Sequence, residues 1–164
     1  MSNRKLSVGE ILRYPREFSP ASPIIDGVTN FWHVTHSENL ARPQLEKGIN
    51  PIAPVKAFEG RRRPAVLISS SPNRVGSAQT PWHDIFDADN GHIRYFGDAK
   101  TPGQDPAQTP GNKALLEAHA IHSAIDPSER ARATPIIFFR RTSVNGATKG
   151  FLTFQGFGIV ERAE

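Results

Sequence analysis

Between Thr80 and Thr101 the chain reads TPWHDIFDADNGHIRYFGDAKT, which gathers a Trp, a Tyr, a Lys, two His and four carboxylates within one short stretch. Asp89-Asn90-Gly91 marks a hairpin, because Asn and Gly both tolerate positive φ in a tight turn. Two arms then fold back on one another, Trp82 and Asp84 on the first, Ile93, Tyr95 and Asp98 on the second. An aromatic on each arm with a carboxylate between them can hold a planar, hydrogen-bonding ligand. A nucleobase is such a ligand, stacked on its faces and read along its edge. Packing alone also places aromatics in strands, and an acidic loop is also what a solvated turn looks like. In isolation, the hairpin is explained by packing.

A rival chemistry uses the same residues. Asp84 and Asp98 are candidate Mg²⁺ ligands, with Lys100 orienting the attacking water of a metal-dependent nuclease. Asp-x-Lys is short, however, and arises often by chance. Asp87-x-Asp89-Asn90-Gly91 approaches a calcium loop, but its Gly falls at the fifth position and Asp, not Glu, at the twelfth. It reads as a turn. His33-x-x-His36 and His119-x-x-His122 have metal-like spacing, yet no carboxylate stands at ligand spacing beside either pair. No metal or cofactor is expected. There is no Cys, which excludes disulfides, thiolate zinc sites and Cys nucleophiles. Gly-x-Ser-x-Gly, Rossmann and P-loop fingerprints are absent. Exposed aromatics beside basic loops also suit a protein-interaction module, and that alternative stays open.

The elements that must position these residues follow from pattern. At 164 residues one domain with one sizeable core is expected. The formal charge of +4 suits a polyanion partner without demanding one. No apolar run approaches a membrane span and no signal-peptide core is present, so no membrane partner and a cytoplasmic location are expected. Ser7 and Glu10 form a capping box for a short helix over Val8–Arg13, and Pro15, Pro20 and Pro23 then impose an extended linker. This divides the chain into an extension (1–24) and a main domain (25–164).

Strands are expected over Asp26–Val34, with Trp32 in the core, and over Pro64–Ser69, Thr134–Arg140 and Gly150–Glu161. A helical turn is expected from Ser37 to Leu45. Gly156 and Gly158 suggest a bulge or a bend such as barrels need. Asn112–Ile125 is the clearest helix, its apolar stripe formed by Leu115, Leu116, Ala118, Ile121, Ala124 and Ile125. About six strands, one main helix and no βαβ rhythm make the fold α+β, a curved sheet or partial barrel flanked by a few helices. Arg61-Arg62-Arg63 is either a phosphate grip or a solvated basic loop.

Pro81-Trp82-His83-Asp84, followed by Asp89-x-Gly91-x-Ile93-x-Tyr95-x-Gly97-Asp98-x-Lys100, resembles the central signature of a known domain. It is the SRA-like (PUA-like) N-terminal domain of modification-dependent restriction endonucleases of the MspJI and AspBHI type. Pro135–Arg140 and the run Lys149-Gly150-Phe151-x-x-Phe154-x-Gly156-x-Gly158 resemble the same group, so the likeness covers roughly residues 25–162. The resemblance implies a DNA-binding specificity domain that flips a modified (5-methyl or 5-hydroxymethyl) cytosine out of double-stranded DNA and stacks it between aromatics. Carried over by position, Asp84 reads the base edge, Tyr95 is one stacking wall and Trp82 the other. Candidate phosphate contacts are Arg61, Arg62, Arg63, Arg74, Lys100, Arg140, Arg141 and Lys149. The resemblance also implies that the Gly-Asp-x-Lys segment belongs to a base reader rather than an enzyme. The nuclease motifs of such proteins lie in a separate C-terminal domain, which is expected outside these residues.

Overall fold

The structure is a computed structural model of the 164-residue chain and describes residues 5–15, 17, 22–35, 44–45, 47–71, 84–87, 89–97, 101, 103–147 and 149–163. Among these, the first elements are β1 (Ile11–Arg13), β2 (Ile24–Ile25), β3 (Val28–Asn30), α1 (Phe31–Thr35), β4 (Ile49–Pro51), β5 (Val55–Ala57) and β6 (Gly60–Arg62). Then come β7 (Val66–Ser70), β8 (Ile85–Asp87), β9 (His92–Arg94), α2 (Pro110–His122), α3 (Pro127–Arg130), β10 (Ile136–Arg141) and β11 (Phe151–Gly158). A single 3₁₀ turn, Pro106–Gln108, leads into α2.

Seven strands form one open mixed sheet in the order β2-β3-β1-β11-β10-β7-β4, while β5–β6 and β8–β9 are separate two-stranded ribbons. The fold is α+β, as expected. β7 runs parallel to β10 and antiparallel to β4, and all five of its residues are buried. Burial on both faces is why this strand reads as a continuous apolar run instead of alternating. Side chains alternate across it. Leu67 joins Leu12, Phe31, Trp32, Phe139, Leu152 and Phe154 on one side. Val66 and Ile68 join Ile49, Ile136 and the Ala114 and Ala118 methyls of α2 on the other.

The first of these clusters is aromatic. Phe31 meets Phe139 edge-on with centroids 5.6 Å apart, and Phe139 meets Phe154 at 5.8 Å. Such pairs contribute about 0.5–1.5 kcal/mol each beyond their area burial. The second sheet face is shared. α2 covers it through Ala114 and Ala118, and Tyr95, just beyond β9, also packs against this cluster. The core therefore sets the seat of the ribbon.

The bulge expected at Gly156 is present: Phe138 stands opposite Gly156 and Phe139 opposite Phe154, leaving Gln155 as the extra residue. Gly156 takes φ 117°, a conformation side chains rarely adopt.

Several expectations are corrected. Val8–Arg13 is not a helix; the Ser7–Glu10 bond forms, Ser7 N donating to Glu10 Oε2 at 3.1 Å, but it closes a turn that delivers β1 into the sheet. Pairing of Leu12 with both Leu152 and Thr29 outweighs the local helical signal, and Leu12 is fully buried. Asp26–Val34 is not one strand. Asp26 and Gly27 take φ 51° and 78° as a two-residue turn between β2 and β3, and Phe31–Thr35 is helical. Trp32 is nonetheless buried, as expected.

The main helix runs from Pro110 to His122, and its buried face is Gly111, Ala114 and Ala118, while Leu116 and Ile125 are exposed. Small residues win that face because the helix lies close on β4. The described strands number eleven rather than about six. The helical turn expected from Ser37 to Leu45 lies largely outside the described residues.

Candidate nucleic-acid interface

The hairpin expected around Asp89-Asn90-Gly91 forms, with Ile85 opposite Arg94, Phe86 opposite Ile93 and Asp87 opposite His92. Its turn differs from the expected two-residue type. Among its described residues, Asp89, Asn90 and Gly91, only Gly91 takes positive φ (68°). The Asp87 carboxylate shapes it, accepting from Asn90 N at 3.2 Å and from Asn90 Nδ2 at 2.9 Å. These Asn90 bonds, side chain first, hold the Asp87 carboxyl below its ordinary pKa.

Asp84 sits just before β8 and is half-buried. Its Oδ2 accepts from Ser70 Oγ at 2.6 Å and its Oδ1 accepts from Phe96 N at 3.1 Å. One carboxylate thus ties the end of β7 to both arms of the ribbon. Each oxygen keeps lone-pair capacity beyond these bonds, since an ionised carboxylate offers about four acceptor sites. Tyr95, next to Phe96, is half-buried and packs on the cluster of Ile49, Val66, Ile68 and Ile136. An open cleft of about 1880 Å³ is lined by Tyr95, Phe96 and Gly97 from this side, Asn112 and His122 from α2, and Phe138 from β10. Tyr95 lines that cleft and Asp84 does not. Trp82 lies outside the described residues, as do Asp98, Lys100 and Arg74.

The basic candidates divide. Arg140 is exposed and its Cζ lies 5.3 Å from the Phe86 ring centroid, a cation–π contact that joins β10 to the ribbon. Lys149 and Arg62 are exposed. Arg61 and Arg63 donate to backbone carbonyls, Pro54 O at 2.9 Å and Ile52 O at 2.6 Å. Arg141 donates to Leu45 O at 3.0 Å and Ser69 Oγ at 3.3 Å. These three therefore do structural work already.

Ser70 was not singled out by the sequence reading, although it is only 2 % exposed and holds Asp84. Its one signal was its place at the end of a buried strand. Arg94, exposed on β9 and 5.4 Å over the Phe96 ring, was also passed over. Alternation along His92-Ile93-Arg94-Tyr95 was the pattern that could have found it.

Among the described residues, no three His, Asp or Glu side chains converge as metal ligands. His122 Nδ1 accepts from Val160 N at 3.0 Å, and burial followed by the neighbouring His119 lowers its pKa. His119 Nε2 lies 3.2 Å from Ser123 Oγ.

A profile of the restriction endonuclease AspBHI N-terminal family matches residues 47–163. The chain belongs to that family. The match is to the N-terminal region of such endonucleases and not to their catalytic domain. Of the solved structures, the MspJI restriction endonuclease in complex with a 27-mer oligonucleotide is 39 % identical with a TM-score of 0.83. That match covers 97 % of this chain and 37 % of the MspJI chain, so the residues described here correspond to just over a third of that protein. The DNA recognition domain of the cytosine modification-dependent endonuclease LpnPI matches at 16 % identity and a TM-score of 0.60, over 95 % of this chain and 61 % of that one, which is a likeness of fold. Comparison with curated proteins gave no match. No helix among the described residues is long and apolar enough to cross a membrane.

Proposed function

We propose that this chain reads modified cytosine in double-stranded DNA by base flipping, as the specificity module of a modification-dependent restriction endonuclease. The observation that carries the reading is the Asp84 carboxylate, held by Ser70 Oγ and by the backbone N–H of Phe96, the residue after Tyr95, with acceptor capacity to spare. Family membership and the oligonucleotide-bound MspJI structure support DNA as the partner.

Binding has two layers in this account. The exposed Arg62, Arg140 and Lys149, together with Arg74 and Lys100 of the sequence, neutralise phosphates without reading sequence. The flipped base then stacks on Tyr95 and Trp82, and ionised Asp84 accepts from the cytosine N4 amino group, which favours cytosine over thymine. The modifying methyl fills an apolar recess, worth only about 1 kcal/mol, so preference rather than absolute discrimination follows from that group alone. We take the reading domain as residues 25–164, with 1–24 contributing β1 to its sheet. A nuclease domain in the same protein and a cytoplasmic location belong to the proposal.

The test is a titration of matched duplexes carrying cytosine, 5-methylcytosine or 5-hydroxymethylcytosine across a salt series. The expected result is affinity that weakens steeply with salt, plus a preference for a modified duplex at every salt concentration. Affinity that is flat in salt, or equal for all duplexes, overturns the reading. The rival nuclease is separated by incubating the chain with methylated plasmid and Mg²⁺ or Mn²⁺. Nicking that disappears in both Asp98→Ala and Lys100→Ala would establish the nuclease instead.

A further inference from the structure

The β5–β6 ribbon stands apart from the seven-stranded sheet, pairing only within itself: Val55 with Arg62, Lys56 with Arg61, Ala57 with Gly60. Phe58 and Glu59 make its turn, with Gly60 at φ 109°. Phe58 is fully exposed, at 105 % of the reference area, so the ring contributes nothing to the fold. The ribbon is nevertheless braced. Arg61 and Arg63 donate to the carbonyls of Pro54 and Ile52, and Glu59 Oε2 lies 3.6 Å from Arg132 Nε.

Charge along the ribbon is predominantly positive. Residues 55–63 carry four cations, Lys56, Arg61, Arg62 and Arg63, and one carboxylate, Glu59, which Arg132 pairs. Behind the ribbon, a recess of about 410 Å³ is lined by Arg61, Arg62, Arg63 and Arg132 against Glu117 and Glu129, so it too is net positive. An apolar protein groove would meet an aromatic tip with an apolar rim. Here the rim is cationic. The partner that combines apolar surface with flanking negative charge is duplex DNA, whose base edges and faces lie between two rows of phosphates. A two-stranded ribbon fits a groove, and apolar side chains on such elements wedge against base steps.

We propose that the β5–β6 ribbon is a second DNA-contacting arm, in which Phe58 enters a groove and packs on the bases while Lys56 and Arg62 take the flanking phosphates. This rests on the DNA-binding reading above, but involves no residue of the Asp84 and Tyr95 site. It assigns Phe58 to affinity rather than to recognition of the modification.

The experiment compares wild type, Phe58→Ala, Phe58→Trp and Arg62→Ala on modified and unmodified duplexes. Phe58→Ala is expected to melt like wild type, because the ring touches no neighbour, and to bind both duplexes about tenfold more weakly with their affinity ratio unchanged. Phe58→Trp is expected to retain affinity, and its added fluorescence to be quenched by duplex beyond the change seen in wild type. Arg62→Ala is expected to reduce the salt slope by about one counterion. Wild-type affinity in Phe58→Ala, or an unquenched Trp at position 58, overturns this proposal alone. Failure of the wild-type chain to bind DNA overturns it together with the reader. Loss of self-association in Phe58→Ala with DNA affinity intact assigns the ribbon to protein contact and likewise overturns it.

Discussion

Two substitutions at Asp84 separate the structural duty of its carboxylate from the chemical one. Asp84→Ala removes the acceptor for Ser70 Oγ (2.6 Å) and Phe96 N (3.1 Å) together. Ser70 is 2 % exposed, so its hydroxyl has no water to turn to. Hydrogen bonds to charged groups contribute about 1.5–3 kcal/mol each and an orphaned buried donor costs about 1–3 kcal/mol. Asp84 is only half-buried, which puts the combined loss near the low end, about 2–3 kcal/mol. In a chain of this size each kcal/mol lowers Tm by about 2–4 °C, so a fall of about 5–10 °C is expected.

Asp84→Asn behaves differently. The amide oxygen still accepts from Phe96 N, and the amide NH₂ donates to Ser70 Oγ, which accepts as readily as it donates. The expected Tm stays within about 3 °C of wild type. The charge facing the base is gone, however, and the new amide offers no second carboxylate oxygen to the cytosine amino group. Affinity for a modified duplex should fall about tenfold or more toward the unmodified value, which phosphate contacts maintain. Thermal unfolding paired with titration of the two duplexes reads both effects. A wild-type Tm in Asp84→Ala refutes the tether. Wild-type preference in Asp84→Asn refutes base reading at this carboxylate while leaving the tether standing.

Tyr95→Ala should lose stacking worth about 1–3 kcal/mol on modified DNA and be less stable, because Tyr95 also packs against the second core cluster; titration and melting together measure this. Gly97→Ala would drive a Cβ into the Asn112 carboxamide, displacing an amide that donates to Pro106 O at 3.0 Å. A loss of about 1–3 kcal/mol in denaturant unfolding is expected, and Asn112→Ala in the same chain should relieve most of it. His122 accepts a backbone N–H at Nδ1 and its folded pKa lies below the unfolded 6.5. The folded state then binds fewer protons, so this contribution is complete above pH 6.5 and is lost as pH falls through 6.5 toward the lower folded pKa. Unfolding free energy measured from pH 7.5 to 5 should therefore decline, and His122→Phe should flatten the decline.

The parts of the fold legible in the sequence are those whose signal is local or whose burial is total. The run that became β7 is buried along its whole length, β10 opens on four consecutive apolar residues, Ile136–Phe139, and the Gly156 bulge is announced by a residue type. Ser7–Glu10 shows the limit. The local capping bond formed, yet Leu12 pairs with residues seventeen positions ahead and far downstream, and burial in the sheet decided the conformation. The Asp26-Gly27 turn carried a hairpin signal of its own, the same dipeptide logic that located the β8–β9 turn, and was read through as strand.

The candidate site shows the same division at higher cost. Asp84 and Tyr95 could be named from a hairpin and a resemblance, but Ser70 holds Asp84 from a strand fourteen residues upstream, and Arg140 stacks on Phe86 from more than fifty residues downstream. Neither contact leaves a trace in local spacing. They matter because β8 and β9 are three residues each and pair with no strand of the main sheet. An isolated two-stranded ribbon of that length does not hold itself together in water. Its position is therefore supplied by its tethers: Ser70 and Phe96 on Asp84, Arg140 on Phe86, and Tyr95 seated on the core. Changes in the turn, at residues 89–91, should then alter what the ribbon contacts without disturbing the sheet, whereas Ser70→Ala or Arg140→Ala should shift the whole ribbon. The sheet and the tethered ribbon are separable, so what the ribbon contacts can change while the sheet is kept.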